Sequence, residues 1–208
     1  MTDFATLITA FTAMFIVIDP IGMAPLFVAM TQGMKTSHRR AIAIRACLAG
    51  MIILLIFAFT GEALLDFIGI SMPAFRIAGG VLLFLTALDM LFERRQQRRE
   101  DNSSDHLDPA SDPSIYPLAI PLIAGPGAIA TIILLTGQAD SALGFGAVLG
   151  VMVIVIGIVF ALFMAAPLLE RALGKTGINV VTRLLGMLLA ALAVQFILDG
   201  LKGFGLAG

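Results

Sequence analysis

The sequence predicts an all-α membrane protein of six transmembrane helices, arranged as two inverted three-helix repeats with broken helices 1 and 4. Three observations predict it. Apolar residues make up 59% of the chain and charged residues 13%, with a mean hydropathy of +1.02. A soluble domain carries about 25% charged residues, and 208 residues cannot hide this much apolar surface from water. The apolar residues gather into six runs, each long enough for the ~30 Å hydrocarbon core that about 20 residues of helix cross. The two halves of the chain also repeat each other's Gly, Pro and Arg positions at a spacing of 106 or 107 residues.

The first run covers residues 4–30. It lacks a basic start, has Asp3 beside it and exceeds a typical signal-peptide core, so it is expected to remain as a span. The second, 41–60, carries Arg45 near enough to its end for the side chain to reach the headgroups. The remaining runs are 72–91, 115–136, 142–169 and 182–201. Runs such as 151–160 do not alternate apolar and polar residues, which argues against barrel strands. The chain then divides into a first repeat, 1–92, a linker, 93–114, and a second repeat, 115–208. The linker mixes four arginines with six acidic residues and adds Pro109 and Pro113, the composition of a flexible solvated loop.

Lys and Arg in short loops favour the cytoplasm. Lys35, Arg39, Arg40 and Arg45 follow helix 1, Arg94, Arg95, Arg98 and Arg99 follow helix 3, and Arg171, Lys175 and Arg183 follow helix 5. Of the 13 basic residues only Arg76 and Lys202 fall on the other side. Both termini are therefore expected outside an inner membrane, in the periplasm of a Gram-negative cell.

Residues that other chemistries need are missing. Cys47 is the single cysteine, His38 and His106 fall in polar stretches, and no cluster has metal-ligand spacing. No phosphate-binding loop is present for ATP. Ser71 and Ser141 have no histidine near them in sequence, so nucleophilic hydrolysis lacks its base. No basic stripe exists to bind nucleic acid. The reading is a non-enzyme without a cofactor, with a proton or Na+ as the coupling ion to consider. Its partners are membrane lipid and a small-molecule solute, and self-association into a homo-oligomer is left open.

The repeat rests on particular residues. Helix 1 contains Asp19-Pro20-Ile21-Gly22-Met23-Ala24-Pro25, and helix 4 contains Ala124-Gly125-Pro126-Gly127, with Pro20 and Pro126 in register. Arg76-Ile77-Ala78-Gly79 in helix 3 matches Arg183-Leu184-Leu185-Gly186 in helix 6, and Asp89 matches Gln195. Three is odd, so a three-helix repeat inserts with opposite orientations. Inverted repeats interrupted by Gly and Pro at matching positions are a sequence pointer to a secondary transporter.

Proline inside a helix removes a donor and clashes with the preceding turn, and a freed carbonyl in lipid must be met by protein, water or ligand. Asp-Pro is also a favoured helix start, with Asp as N-cap and Pro at the first position. Helix 1 is therefore expected as two half-helices joined at Asp19, and helix 4 as two joined at Gly125-Pro126. The second halves present N–H groups and positive dipole ends towards any solute between them. The candidate site is Asp19, Pro20, Gly22, Gly125, Pro126, Gly127 and Thr131. Three roles fit Asp19, the one ionisable residue near the middle of a span: structural cap, ligand for an ammonium or coupling cation, or carrier of a coupling proton.

Arg76, Asp89, Arg183, Gln195 and Asp199 are gating or ion-pair candidates. The inverted reading lets Asp89 approach Arg183 on the cytoplasmic side and Asp199 approach Arg76 on the outer side. Arginines at such places also serve as interfacial anchors. Thr136 and Gln195 can line a path or bond between helices. Gly146-x-x-x-Gly150 and Gly79-Gly80 read as close-packing surfaces.

The Asp19–Pro25 motif, the run Pro117-Leu118-Ala119-Ile120-Pro121-Leu122-Ile123-Ala124-Gly125-Pro126-Gly127-Ala128-Ile129 and the helix 6 stretch from Arg183 to Gly200 resemble the MarC family of six-helix inner-membrane proteins. The resemblance covers nearly the whole chain outside the linker. It implies the same six-helix fold. The family includes proteins named for transport of small neutral amino acids, so the resemblance implies a secondary transporter or exporter of such a solute. The other reading from the residues is a non-transporting membrane protein, an interaction or stress-response partner whose broken helices are packed shut.

Reporter fusions at Met34, Gln97 and Lys175 should report cytoplasm and one at Gly208 periplasm; a cytoplasmic Gly208 removes both the six-span count and the inversion. Deleting residues 96–110 should leave folded protein in the membrane, and its loss from the membrane fraction would make the linker structural.

Overall fold

A computed structural model describes residues 4–92, 112–139 and 141–205. Helices and turns make up these residues, with no strand among them. Helix 1 consists of α1, Phe4–Ile18, and α2, Pro20–Met30. The two count together as one span of 25 residues, Thr6–Met30. Asp19 joins them in the left-handed conformation, φ 57° and ψ 63°. Its N–H donates to Phe15 O at 2.9 Å, completing α1, and its carbonyl accepts from Met23 N at 3.1 Å, starting α2.

Helix 2 is α3, Thr36–Ile68, longer at both ends than the apolar run 41–60. Hydropathy marks only the part in hydrocarbon, and the polar first turns that include His38 are helical outside it. Gly69 ends α3 with φ 81°, a conformation that favours glycine, and the Ile70 N–H donates to Leu65 O at 2.9 Å. Helix 3 is α4, Met72–Leu91, as the sequence predicts; Ser71 Oγ accepts from Ala74 N and Pro73 sits in the first turn.

Helix 4 departs from expectation in its first half. Residues 115–123 do not form an α-helix. Within Ser114–Ile123, Tyr116 and Ile120 are extended, near φ −124° and −123°, and the Tyr116-Pro117 and Ile120-Pro121 bonds are cis. Proline pushes the residue before it out of the α region, and two prolines four residues apart leave no room for a regular turn. The second half is α5, Pro126–Thr136, bent by 54° from the segment before it. Helices 5 and 6 are α6, Ala142–Leu169, and α7, Thr176–Gly203. They form one helical run, interrupted at Gly174 with φ 62° and ψ 174°. The sixth span thus starts before the predicted residue 182.

Helix 1 and the second half of helix 4 sit inside and the uninterrupted helices outside, while Ile115, Tyr116 and Ile120 of the first half of helix 4 are exposed. The helix 1 span is 72% buried, whereas α3, α4, α6 and α7 are 28–39% buried. In α5 nearly every residue from Gly127 to Leu135 is buried. The outer helices present Phe59 and Phe67 at 66% and 89% exposure. In water each such side chain forfeits about 1.5–3 kcal/mol of burial energy; against lipid tails it forfeits little.

Glycines allow close packing at several crossings. A Cβ on Gly80 would meet Ala193 O at 2.8 Å and Ile197 N at 3.1 Å. One on Gly186 would meet Met90 Cβ at 2.9 Å, and one on Gly200 would meet Pro73 O at 2.9 Å. Early α4 therefore faces late α7 and late α4 faces early α7, an antiparallel pair. On the other side of the molecule Phe27 of α2 stacks on Phe163 of α6, with centroids 4.4 Å apart. Gly146 and Gly150 have nothing within 4 Å of a Cβ, so they form no close-packed surface among the described residues.

Gly80→Ala should lower the melting temperature in detergent, with a loss of about 1–3 kcal/mol from overpacking against backbone. Gly150→Ala should cost nothing. Equal melting curves for the two variants would refute the crossing described for α4 and α7.

Candidate functional site

Asp19 is fully buried. Its Oδ1 accepts from the Gly22 N–H at 3.1 Å, so the carboxylate caps the helix it precedes. An N-cap usually has extended backbone; Asp19 is left-handed because it also closes α1, the position where helices end in αL. Aspartate and asparagine tolerate this conformation better than most side chains. Gly22 belongs to the same device, since a Cβ there would collide with the Asp19 carboxylate. Pro20, buried beside it, supplies the fixed φ of a first helical residue and has no N–H to satisfy.

The helix 4 break is built differently. Gly125 is the N-cap of α5 in extended backbone, and no side chain caps this helix. The Ile129 N–H donates to Gly125 O at 2.9 Å, and a Cβ on Gly125 would strike Pro121 O. Thr131 is fully buried, and its hydroxyl donates back to Gly127 O at 2.8 Å within α5. That bond keeps Thr131 in its own helix and leaves its oxygen as an acceptor.

The two breaks meet. A Cβ on Gly127 would lie 3.1 Å from Val17 Cγ1, two residues before Asp19. It would also lie 3.4 Å from Leu83 Cδ2 and 3.8 Å from Thr86 Oγ1 on α4. The structure thus brings Gly127 of helix 4 against Val17 of α1, two residues before Asp19, with Leu83 and Thr86 of α4 as the third wall. Pro126 faces away from this junction, into an apolar cavity against α3 and α4.

The gating candidates lie elsewhere. Arg76 is one turn into α4, and its Nε is buried without a hydrogen-bond partner. Asp199 accepts instead from Gln195 Nε2 at 2.8 Å, one turn away on α7. No ion pair joins Arg76 to Asp199. Asp89 and Arg183 sit where late α4 passes early α7, and each has interactions of its own. The ion pair that sequence reading missed is Arg45 Nη2 to Asp112 Oδ2 at 3.0 Å, about half exposed. It ties α3 to the residue that begins the helix 4 approach, where Asp112 Oδ1 also accepts from Ser114 N. The rest of the linker, 93–111, lies outside the described residues. Val17, Leu83 and Thr86 were also missed as wall residues, since an apolar run does not tell which face meets a break.

Among the described residues no group of His, Cys, Asp and Glu could hold a metal ion.

The chain matches the family described as MarC family integral membrane protein over residues 4–204. UPF0056 inner membrane protein YhgN of Escherichia coli is 33% identical over 196 residues, 94% of this chain and 96% of the relative. UPF0056 membrane protein YvbG of Bacillus subtilis is 35% identical over 202 residues, 96% of each chain. A UPF0056 membrane protein of Archaeoglobus fulgidus is 38% identical over 197 residues, 92% of this chain and 90% of the relative. No solved structure matches. With the family match spanning nearly every described residue and six candidate spans in the fold, the chain belongs to the MarC family of integral membrane proteins.

Proposed function

We propose that this protein is a secondary transporter of a small solute, a neutral amino acid by the family resemblance, in an inner membrane with both termini outside. The reading rests on one observation: a buried carboxylate, Asp19, stands at a break in helix 1, and the uncapped start of α5 packs on α1 at Val17, two residues before it. The two ends are complementary to a zwitterion. The α5 N-terminus carries N–H donors and a positive dipole end for a carboxylate. Asp19 offers a negative charge for an ammonium or a coupling cation, at a cost in hydrocarbon that function explains better than packing does. Two inverted three-helix repeats moving against each other would expose this point to either side in turn.

One observation favours the second reading, a non-transporting membrane protein acting as an interaction or stress-response partner. Asp19 spends one oxygen on its own helix and has no exposed surface. In that reading the break is a packed joint. In the transporter reading this is an occluded state whose carboxylate faces the solute once the repeats shift.

Asparagine separates the readings, because it caps a helix and tolerates left-handed backbone as aspartate does. Asp19→Asn should melt like the parent and lose alanine uptake in proteoliposomes. A hydrogen bond to a charged group is worth ~1.5–3 kcal/mol, so binding should weaken about ten- to a hundredfold. Asp19→Ala should in addition lose about 0.5–2 kcal/mol of stability from the cap and ~1–2 kcal/mol from the backbone. If Asp19→Asn transports like the parent at every pH and cation concentration, Asp19 is a cap alone.

A further inference from the structure

An apolar cavity of about 460 Å³ lies behind the helix 4 break, on the side away from Asp19. Pro121, Ala124 and Pro126 form its floor, and Phe57 of α3, Phe75 of α4 and Ala130 of α5 its walls. Almost no polar atom reaches it. A water takes ~30 Å³ in the liquid and needs two to four polar partners, so this space has ample room for water but no bonds to offer it. An empty space of this size would leave its lining without contacts on one side.

The mouth decides the occupant. Leu64, Leu82 and Ile120 line the cavity and are 44%, 39% and 43% exposed. They continue into the exposed apolar faces of α3 and α4, which carry Ile56 and Leu85. In a chain that spans the bilayer these faces meet acyl tails. The cavity opens between the two spans because α3 and α4 hardly touch beyond their connecting turn. Ile120 and Pro126 flank the point where helix 4 is bent, well inside the span, so no headgroup need enter.

We infer that this cavity is a binding site for one acyl chain of a bilayer lipid, inserted sideways between α3 and α4 against the helix 4 break. The chain replaces the side chains that a continuous helix 4 would have supplied there. Its head stays in the interface. The site does not depend on transport, and it places lipid on one face of Gly125-Pro126-Gly127 while Val17 occupies the other.

The protein has no tryptophan, so a single introduced one is a clean reporter. The probe is a vesicle of phosphatidylcholine with brominated acyl chains, whose bromines quench tryptophan on contact. Phe75→Trp, inside the cavity, should lose as much emission as Phe59→Trp on the lipid face. Phe163→Trp in the core should keep its emission. Adding Ala130→Phe to Phe75→Trp fills the cavity and should restore most of the signal. Phe75→Trp emission that survives the brominated chains, or that aqueous iodide quenches instead, overturns the site. So does quenching that Ala130→Phe leaves unchanged, since the tail then touches only the rim. If Phe75→Trp does not reconstitute, Ile129→Trp on the opposite wall carries the same readout.

Discussion

Backbone that leaves the helix must find its hydrogen bonds within the protein. In hydrocarbon each unpaired N–H or C=O costs several kcal/mol, and this chain interrupts two of its spans, at Asp19 and through 114–125. The architecture follows from that constraint. Helix 1 and α5 are at the centre among four long helices without breaks in the bilayer, and the first half of helix 4 shows the side chains of Ile115, Tyr116 and Ile120 at the edge. The enclosing helices come close by giving up side chains where helix 4 needs space. Gly50 and Gly61 of α3 receive Ile123 and Ile133, and Gly79 of α4 receives Leu134. A larger residue at any of these points would push the irregular segment outward, towards the solvent that cannot satisfy it.

The two breaks solve the same problem by different chemistry. Helix 1 changes direction at a single residue that ends one helix, begins the next and caps it with its own side chain. Little backbone is left unpaired, and the price is a carboxylate held where no water reaches it. Helix 4 spreads its break over ten residues and two prolines, then starts α5 from a glycine with no side-chain cap. One break contributes charge and the other contributes donors. The two come together where Val17 packs on Gly127, two residues before Asp19 and two after Gly125.

Much of this was legible in the sequence because the signals were local. Ser71 and Ser141, weighed in the sequence only as nucleophiles, cap the starts of α4 and α6, a role that serine just before an apolar run signals. Asp19-Pro20 and Gly125-Pro126 marked the two breaks, because proline cannot continue a helix whatever surrounds it. Less legible was anything set by what a residue faces. Gly79-Gly80 and Gly146-x-x-x-Gly150 look alike as strings, yet the first meets α5 and α7 and the second meets nothing among the described residues. Pro117 and Pro121 carried a readable signal against helix at 116 and 120, but the apolar run around them outweighed it. The ends of α3 were missed for a simpler reason: hydropathy reports the lipid, and helices continue past it. Arg76 and Asp199 share a neighbourhood, but Gln195 sits one turn from Asp199 on the same helix and takes the carboxylate at less cost in side-chain order.

The crossing of α4 and α7 bears on how such a molecule could move. An inverted repeat requires its third and sixth helices to run antiparallel across a two-fold axis in the membrane plane. Contacts must then occur in related pairs. Gly80 backs onto Ala193, and the spacing of 107 carries these two positions to Met187 and Thr86. The neighbouring contact of Gly186 with Ala87 is that pair within one residue. The axis therefore passes near the middle of both helices, beside Leu83, which also walls the junction of the two breaks through Gly127. A crossing paved with glycine on both sides brings the two backbones close with few interlocking side chains. Leu83 puts Gly127 next to that axis, and in the transporter reading proposed above a small rotation about it would change which side the two breaks face while moving them least.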